Sequence, residues 1–371
     1  MKSYSKLLTR IFFIAIFTPF TLFAQYPDSI RLNDIRILAS HNSYKKRPDE
    51  RIVKSLQKFE RYLSKDLDPK RMDYGHLPLT EQFENYEIRG IELDLYNDPR
   101  GGHFQKRRIN RFIRGLKQNA NDSIMKQPGL KVLHIADIDY ESNYRTFTEA
   151  LLEIKAWSIQ HTQHTPLFVN LEVKERSPGN YSRVLRFLGF QPALEFDSTA
   201  YLKIDEAILA IFEHDELLSP SLLRDTFATV NQRIQQIGWP KLNETLGKTA
   251  FIFDGNGDEY ARYSKDKVAF SYGKPEDPET AFVIRNDAMG KEEEIEQLTK
   301  HYIVRTRSDV ETLQARENDY TLFDAAIRSD AQIISTDYYM PDTRLGSYFI
   351  TLEPFKQNKM WPFALRKSSK Q

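Results

Sequence analysis

The 371-residue chain contains no cysteine. That absence excludes disulfides, thiolate metal sites, a cysteine nucleophile and a lipid-modified N-terminal cysteine, so any metal must be held by oxygen or nitrogen donors. Excess charge of either sign is missing too: 53 Lys and Arg stand against 52 Asp and Glu, a net charge of +1. With no global field, a nucleic-acid partner is not expected, and any contact with an anionic bilayer must be local. Long apolar runs are scarce. The one candidate, Ile11 to Phe23, follows Lys2, Lys6 and Arg10, is interrupted by Thr18, Pro19 and Thr21, and ends at Ala24-Gln25. That is the pattern of a signal peptide over residues 1–24, too short and broken for a comfortable membrane span. A protein exported to the periplasm or the medium is expected, monomeric and without a transmembrane span once mature. No Pro-, Gly- or Ser-rich linker, internal repeat or low-complexity tract divides residues 25–371, which are read as one domain.

What is present is an alternation of short apolar runs and amphipathic stretches. Ile35 to Ala39, Gly90 to Asn97, Leu130 to Ile135, Pro166 to Val173, Ala250 to Phe253, Val268 to Tyr272, Ala281 to Ile284, Tyr302 to Thr306 and Ala331 to Thr336 read as strands. Phe147 to Gln160, with Phe147, Ala150, Leu151, Ile154 and Trp157 on one face, reads as a helix, as do stretches within 205–237, 292–301 and 319–329. Phe104 to Asn119 is basic and predicted helical. Strands separated by helices rather than tight hairpins call for a parallel sheet, and roughly eight such units fit one closed (β/α)8 barrel of the TIM type. Residues 45–80 are polar and read as an insertion near the rim.

Several of these strands carry polar groups that an apolar run does not need. Glu92 and Asp94 stand at i and i+2 of the second strand, hence on one face, and burying two adjacent carboxylates without a cation is costly. Glu172 interrupts the apolar run Pro166 to Val173 in the same way. His41 and Asn42 end the first strand, and His134 ends the third. In a parallel barrel the strand ends converge on one rim, where these groups would form a hard oxygen set suited to Ca²⁺, with two histidines left for proton transfer or for hydrogen-bonding an anion. Taken singly, each residue also has a structural reading: solvated acids on an edge strand, a satisfied histidine, an Asx-turn.

Together, Ser40-His41-Asn42-Ser43-Tyr44, Arg89-Gly90-Ile91-Glu92-Leu93-Asp94, His134 and Leu171-Glu172 resemble the X-half of phosphoinositide-specific phospholipase C, in the same order. Ala156-Trp157-Ser158, His164-Thr165-Pro166-Leu167, Tyr302 to Arg307 and Ala331 to Tyr338 resemble the secreted bacterial calcium-dependent branch, so the likeness covers about residues 30 to 345. It implies Asn42, Glu92, Asp94 and Glu172 as ligands of one Ca²⁺ and His41 and His134 as the catalytic pair. His41 would hydrogen-bond the phosphoryl oxygens and His134 would protonate the leaving group, while a carboxylate, Glu92 or Glu172, takes the proton of the inositol 2-hydroxyl. The implied reaction cleaves phosphatidylinositol, a phospholipid presented at a membrane surface, to diacylglycerol and an inositol (cyclic) phosphate.

Two departures narrow this expectation. Relatives acting on polyphosphorylated head groups carry lysines near the fifth strand, where this chain has Phe253-Asp254-Gly255-Asn256, so an unphosphorylated head group is expected. Lys174, Arg305, Arg307 and Tyr338 are left as candidate substrate contacts. Membrane-targeting domains are also lacking, so tethering is expected from the rim, through apolar or basic residues of segment 45–80. A glycerophosphodiester phosphodiesterase shares the barrel and the Glu-x-Asp pair, but typically follows its first histidine with Arg-Gly rather than Asn42-Ser43. An inert lipid- or glycan-binding barrel is the non-enzymatic alternative.

Overall fold

The computed structural model describes residues 26–62, 67–117, 122–255, 262–352 and 362–367; the expected signal peptide at 1–24 lies outside them. Eight parallel strands carry the architecture: β1 (Ile35–Ser40), β2 (Gly90–Tyr96), β3 (Leu167–Val173), β4 (Thr249–Asp254), β5 (Phe270–Ser271), β6 (Phe282–Ile284), β7 (Ile303–Arg307) and β8 (Ile333–Thr336). Sequence neighbours pair from β1 to β5 and from β6 to β8, and β1 also pairs with β8. A parallel bridge between Tyr272 and Phe282 links the two ends. The strands therefore form a nearly closed α/β barrel, as the alternation of runs predicts.

Side-chain alternation divides each strand between two environments. Ile91, Leu93 and Leu95 of β2 and Val169 and Leu171 of β3 pack in one cluster with Phe147, Ala150, Leu151, Ile154 and Trp157 of the helix Phe147–Gln160. That helix begins where the sequence provides a reciprocal cap: Thr146 Oγ1 accepts from Glu149 N at 3.2 Å, and Glu149 Oε2 accepts from Thr146 N at 3.0 Å. At the N-terminal end of the strands, Phe282 meets Phe270 and Phe168 with ring centroids 4.9 and 6.1 Å apart. An apolar floor thus lies beneath the polar rim.

The run Leu130 to Ile135, expected as a barrel strand, is not one. Only Lys131–Val132 is extended, and it pairs antiparallel with Leu95 and Tyr96 at the outer end of β2. The reason is local geometry. β1 and β2 are in register at Ala39 and Gly90, where an added Cβ on Gly90 would fall 2.5 Å from Ala39 Cβ. Beyond that contact β2 is flanked by β3 on one side, and the short reversed strand takes the other. Segment 104–117 also departs from expectation, forming only a 3-10 turn at Arg108–Arg111. Like charges at Arg107 and Arg111 disfavour a helix, and Gly115 at φ +86 adopts a left-handed conformation that ends one. Segment 45–80 contributes the helix Glu50–Gln57, whose Ile52 and Leu56 pack against Ile109, Ile113 and Phe190.

Candidate active site

The register of the parallel strands sets the acids in rows. Asp94 lies opposite Glu172, and Glu172 opposite Asp254; one row nearer the floor, Glu92 lies opposite Asn170. Glu92, Asp94 and Glu172 each bring one oxygen within 4.8 Å of the others'. Three of the expected ligands therefore converge. Asn42, at φ +49, is engaged by tyrosines, its Nδ2 donating to Tyr74 Oη at 2.8 Å and its Oδ1 accepting from Tyr44 Oη at 3.4 Å.

These groups fit a hard divalent cation on structural grounds. Asp94 Oδ1 and Glu92 Oε1 are buried without a hydrogen-bond partner, although burying an unpaired carboxylate oxygen is expensive. Burial, reinforced by Glu172 and Glu92 and opposed by Lys174, pushes the Asp94 carboxyl well above its ordinary range. Oxygen donors at this spacing are the set that Ca²⁺ takes.

Positive side chains already surround the acids. Lys174 Nζ lies 2.9 Å from Asp94 Oδ2, without hydrogen-bond alignment, and also contacts Glu172 Oε1. Burial disfavours its charge, but Asp94 and Glu172 outweigh burial and hold the ammonium well above its usual pKa. Burial likewise opposes ionisation of Glu172, and Lys174 outweighs it, leaving that carboxyl below the usual range. Arg305 donates to Glu92 Oε2, and Arg307 donates to Asp337 Oδ2 at 2.8 Å. The two arginines share the inward face, as their i, i+2 spacing predicts, and each is engaged by a carboxylate of the chain. Tyr338 is placed elsewhere: it is 2% exposed, packs edge-on to Tyr348 and lines a second cavity with Tyr74 and His76.

Each candidate histidine is held by an aspartate that sequence reasoning did not single out. His41 Nδ1 lies 2.8 Å from Asp337 Oδ1, and His134 Nδ1 lies 2.8 Å from Asp139 Oδ2. A carboxylate only accepts, so Nδ1 carries the hydrogen and Nε2 is left for the substrate. Burial, then Arg307, holds the His41 imidazolium well below its usual pKa, with Glu92 pulling the other way. His41 is therefore neutral at pH 7, and its Nε2 lone pair faces Glu92 Oε1 at 3.3 Å. Two acceptors facing each other mark a place for a donated proton or a cation. The available signals were the spacing His134-x4-Asp139 and the position of Asp337 just past β8. His76, for which no role is expected from sequence, lies 2.8 Å through Nε2 from the His41 carbonyl and so fixes the backbone there.

A cavity of about 470 Å³ opens beside these groups, lined by His134, Glu172, Lys174, Tyr96, Pro178 and Tyr181 among others. Segment 45–80 supplies part of its wall. Arg71 lines the cavity and pairs at 2.7 Å with Glu311, also on the wall, while Tyr74 Oη lies 3.4 Å from His41 Nδ1.

Residues 30–362 match the family model described as phosphoinositide phospholipase C, Ca²⁺-dependent. The chain belongs to that family. Among solved structures, this phospholipase C family member is similar to a calcium-dependent phosphoinositol-specific phospholipase C from Pseudomonas sp. In its apo crystal form 1 the TM-score is 0.51 at 13% identity, over 92% of this chain and 97% of the other. Against the myoinositol complex of the Pseudomonas protein it is 0.50 at 13% identity, over 92% and 100%. At that identity the likeness is one of fold. No curated protein sequence matches the chain. No helix among the described residues is long and apolar enough to cross a membrane.

Proposed function

We propose that this family member cleaves phosphatidylinositol to diacylglycerol and an inositol cyclic phosphate, by attack of the inositol 2-hydroxyl on its own phosphodiester. The observation that carries the reading is the combination of two aspartate-held histidines with three converging carboxylates, of which His134 and Glu172 line one cavity. Glu92, Asp94, Glu172 and Asn42 would hold one Ca²⁺, which when bound supplies positive charge to the phosphoryl oxygens and acidifies a coordinated hydroxyl.

The chain's own residues supply the proton path. Neutral His41, its Nδ1–H directed at Asp337, accepts the 2-hydroxyl proton at Nε2. This differs from the hydrogen-bonding role that the family resemblance implies, because a neutral ring with Nδ1–H has no hydrogen at Nε2 to donate. His134, its Nδ1 2.8 Å from Asp139 Oδ2, gives a proton from Nε2 to the departing diacylglycerol oxygen. Attack is intramolecular, so little translational entropy is lost in bringing nucleophile to phosphorus. Lys174 and the two arginines balance the negative charge that a phosphodiester adds to three carboxylates. Asp254, in the row of Asp94 and Glu172 and pushed up to about 6 by burial and by Glu172, adds no cation for a further ring phosphate, which supports an unphosphorylated head group.

A phosphorus NMR time course on phosphatidylinositol with Ca²⁺ tests the reading. Cyclic phosphate should appear, fail to appear in EGTA, and fall away in His134→Ala; glycerol phosphate as the product would replace this reading with a glycerophosphodiester phosphodiesterase. Unchanged lipid beside full Ca²⁺ binding would leave the inert barrel. Export accompanies the proposal, and N-terminal sequencing of the mature protein, expected to begin near Gln25, checks it.

A further inference from the structure

Several strongly exposed apolar side chains lie on two segments that pack together, one of which reaches the cavity at Tyr181. Phe187 is 90% exposed, Val184 67%, Tyr181 60% and Phe112 53%. Two chain segments, 104–117 and 178–190, are fastened together there: the Phe112 ring stacks on Phe190 with centroids 6.1 Å apart and planes 14° apart, and the Arg108 side chain passes Gly189. Beneath them Ile109, Ile113 and Phe190 pack against Ile52 and Leu56 of the 50–57 helix, so the face has a rigid backing.

The two segments are themselves basic, although Asp137 accepts from Arg108 N at 3.1 Å and from Gln191 N at 2.6 Å where they meet. Segment 104–117 holds Lys106, Arg107, Arg108, Arg111, Arg114 and Lys117, segment 178–190 adds Arg183 and Arg186, and neither contains an acid. Among the described residues only Arg107 of these eight is ion-paired, to Glu141. The rest of the chain must then be net acidic, since the whole carries +1. Pro178 and Tyr181 of the same face line the cavity that contains His134, Glu172 and Lys174.

We infer that this face seats the protein on an anionic phospholipid bilayer, with Phe187, Val184 and Phe112 entering the interface and the arginines meeting lipid phosphates. The inference rests on the phosphatidylinositol reading above, and it places the docking surface mainly outside segment 45–80, where the sequence pointed. Exposed apolar side chains on two segments that carry basic residues and no acid match an anionic lipid surface in both apolar area and charge. The cavity mouth at Tyr181 would then open toward the lipid, so a head group need move only a short way from the bilayer.

The test separates docking from catalysis. Cosedimentation is measured with phosphatidylglycerol–phosphatidylcholine vesicles in EGTA, where no substrate is present and no turnover occurs. The wild-type chain should bind, less so in 0.5 M salt, as expected for surface charge screened over a few ångströms. Phe187→Ser with Val184→Ser should weaken partitioning roughly tenfold or more, and Arg111→Glu with Arg114→Glu should weaken it by a similar factor and flatten the salt dependence. Hydrolysis of a monomeric short-chain phosphatidylinositol should be unchanged in both variants. Absent wild-type binding, or equal binding by the variants, overturns the inference, as does a solution dimer that Phe187→Ser dissociates, because a second copy would then cover this face. Vesicle binding that the variants lose, with no hydrolysis of any phosphatidylinositol, upholds the docking face and sinks the catalytic reading.

Discussion

Replacing Asp94 with Asn separates a metal site from a structural ion pair. Asp94 is fully buried with Oδ1 lacking a hydrogen-bond partner, and Glu92 and Glu172 each bring an oxygen within 4.8 Å of it. Its neighbour Lys174 keeps Glu172 as a partner if the Asp94 charge is removed. If the trio exists to hold Ca²⁺, the isosteric amide relieves repulsion in the metal-free protein and removes the response to metal. For the wild-type chain, Ca²⁺ at one hundred times its Kd should add about 2.7 kcal/mol. Over the family-matched span of residues 30–362 the unfolding entropy is about 0.7 kcal/mol/K, so the gain corresponds to a melting shift of about 4 °C. Thermal denaturation in EGTA and in Ca²⁺ measures both quantities. Asp94→Asn should melt in EGTA at or above the wild-type temperature and show almost no shift with Ca²⁺. The sign follows from the raised folded pKa of Asp94: the charged form costs stability as pH rises, so the benefit of Asn should grow as pH rises above the ordinary carboxylate range. Were the Asp94–Lys174 contact mainly structural, the variant would lose about 3–5 kcal/mol in EGTA and keep the wild-type Ca²⁺ shift. That pair of results would refute the reasoning.

Asp139→Asn should leave the Ca²⁺ melting shift intact but lower kcat on phosphatidylinositol by roughly 10²-fold or more, with a displaced pH profile, because His134 loses the carboxylate 2.8 Å from its Nδ1. Asp337→Asn should act in the same way through His41, and an unchanged kcat would deny these aspartates a positioning role. Acid should destabilise the fold through His76 and His164, which burial holds at about 4 against an ordinary 6.5. Depressed folded values mean that the stability is present above about pH 6.5 and is lost as pH falls toward 4, about 2 kcal/mol for each histidine by pH 5, which melting at pH 7 and pH 5 will measure. Thr146→Ala removes the reciprocal cap of the 147–160 helix and should cost about 1 kcal/mol in urea denaturation with little change in Ca²⁺ binding.

Local pattern alone determined much of this protein. Period-two placement put Glu92 with Asp94, and Arg305 with Arg307, on shared strand faces, and the amphipathic period of 147–160 marked a helix whose observed limits are the same. Those features depend on near neighbours in the chain, as does the absence of cysteine, which left only oxygen and nitrogen donors for a metal. Tertiary structure decided the rest. Asp337 and Asp139 became the partners of His41 and His134 because a carboxylate's role depends on which imidazole it faces, and Asp337 reaches His41 across a β1–β8 pairing that joins positions almost 300 apart in the chain. It also turned 130–135 away from the barrel, since a strand's place depends on which edges remain free, and it gathered basic runs from 104–117 and 178–190 onto one face. Periodicity reports which way a side chain points; only the closed barrel specifies what it meets.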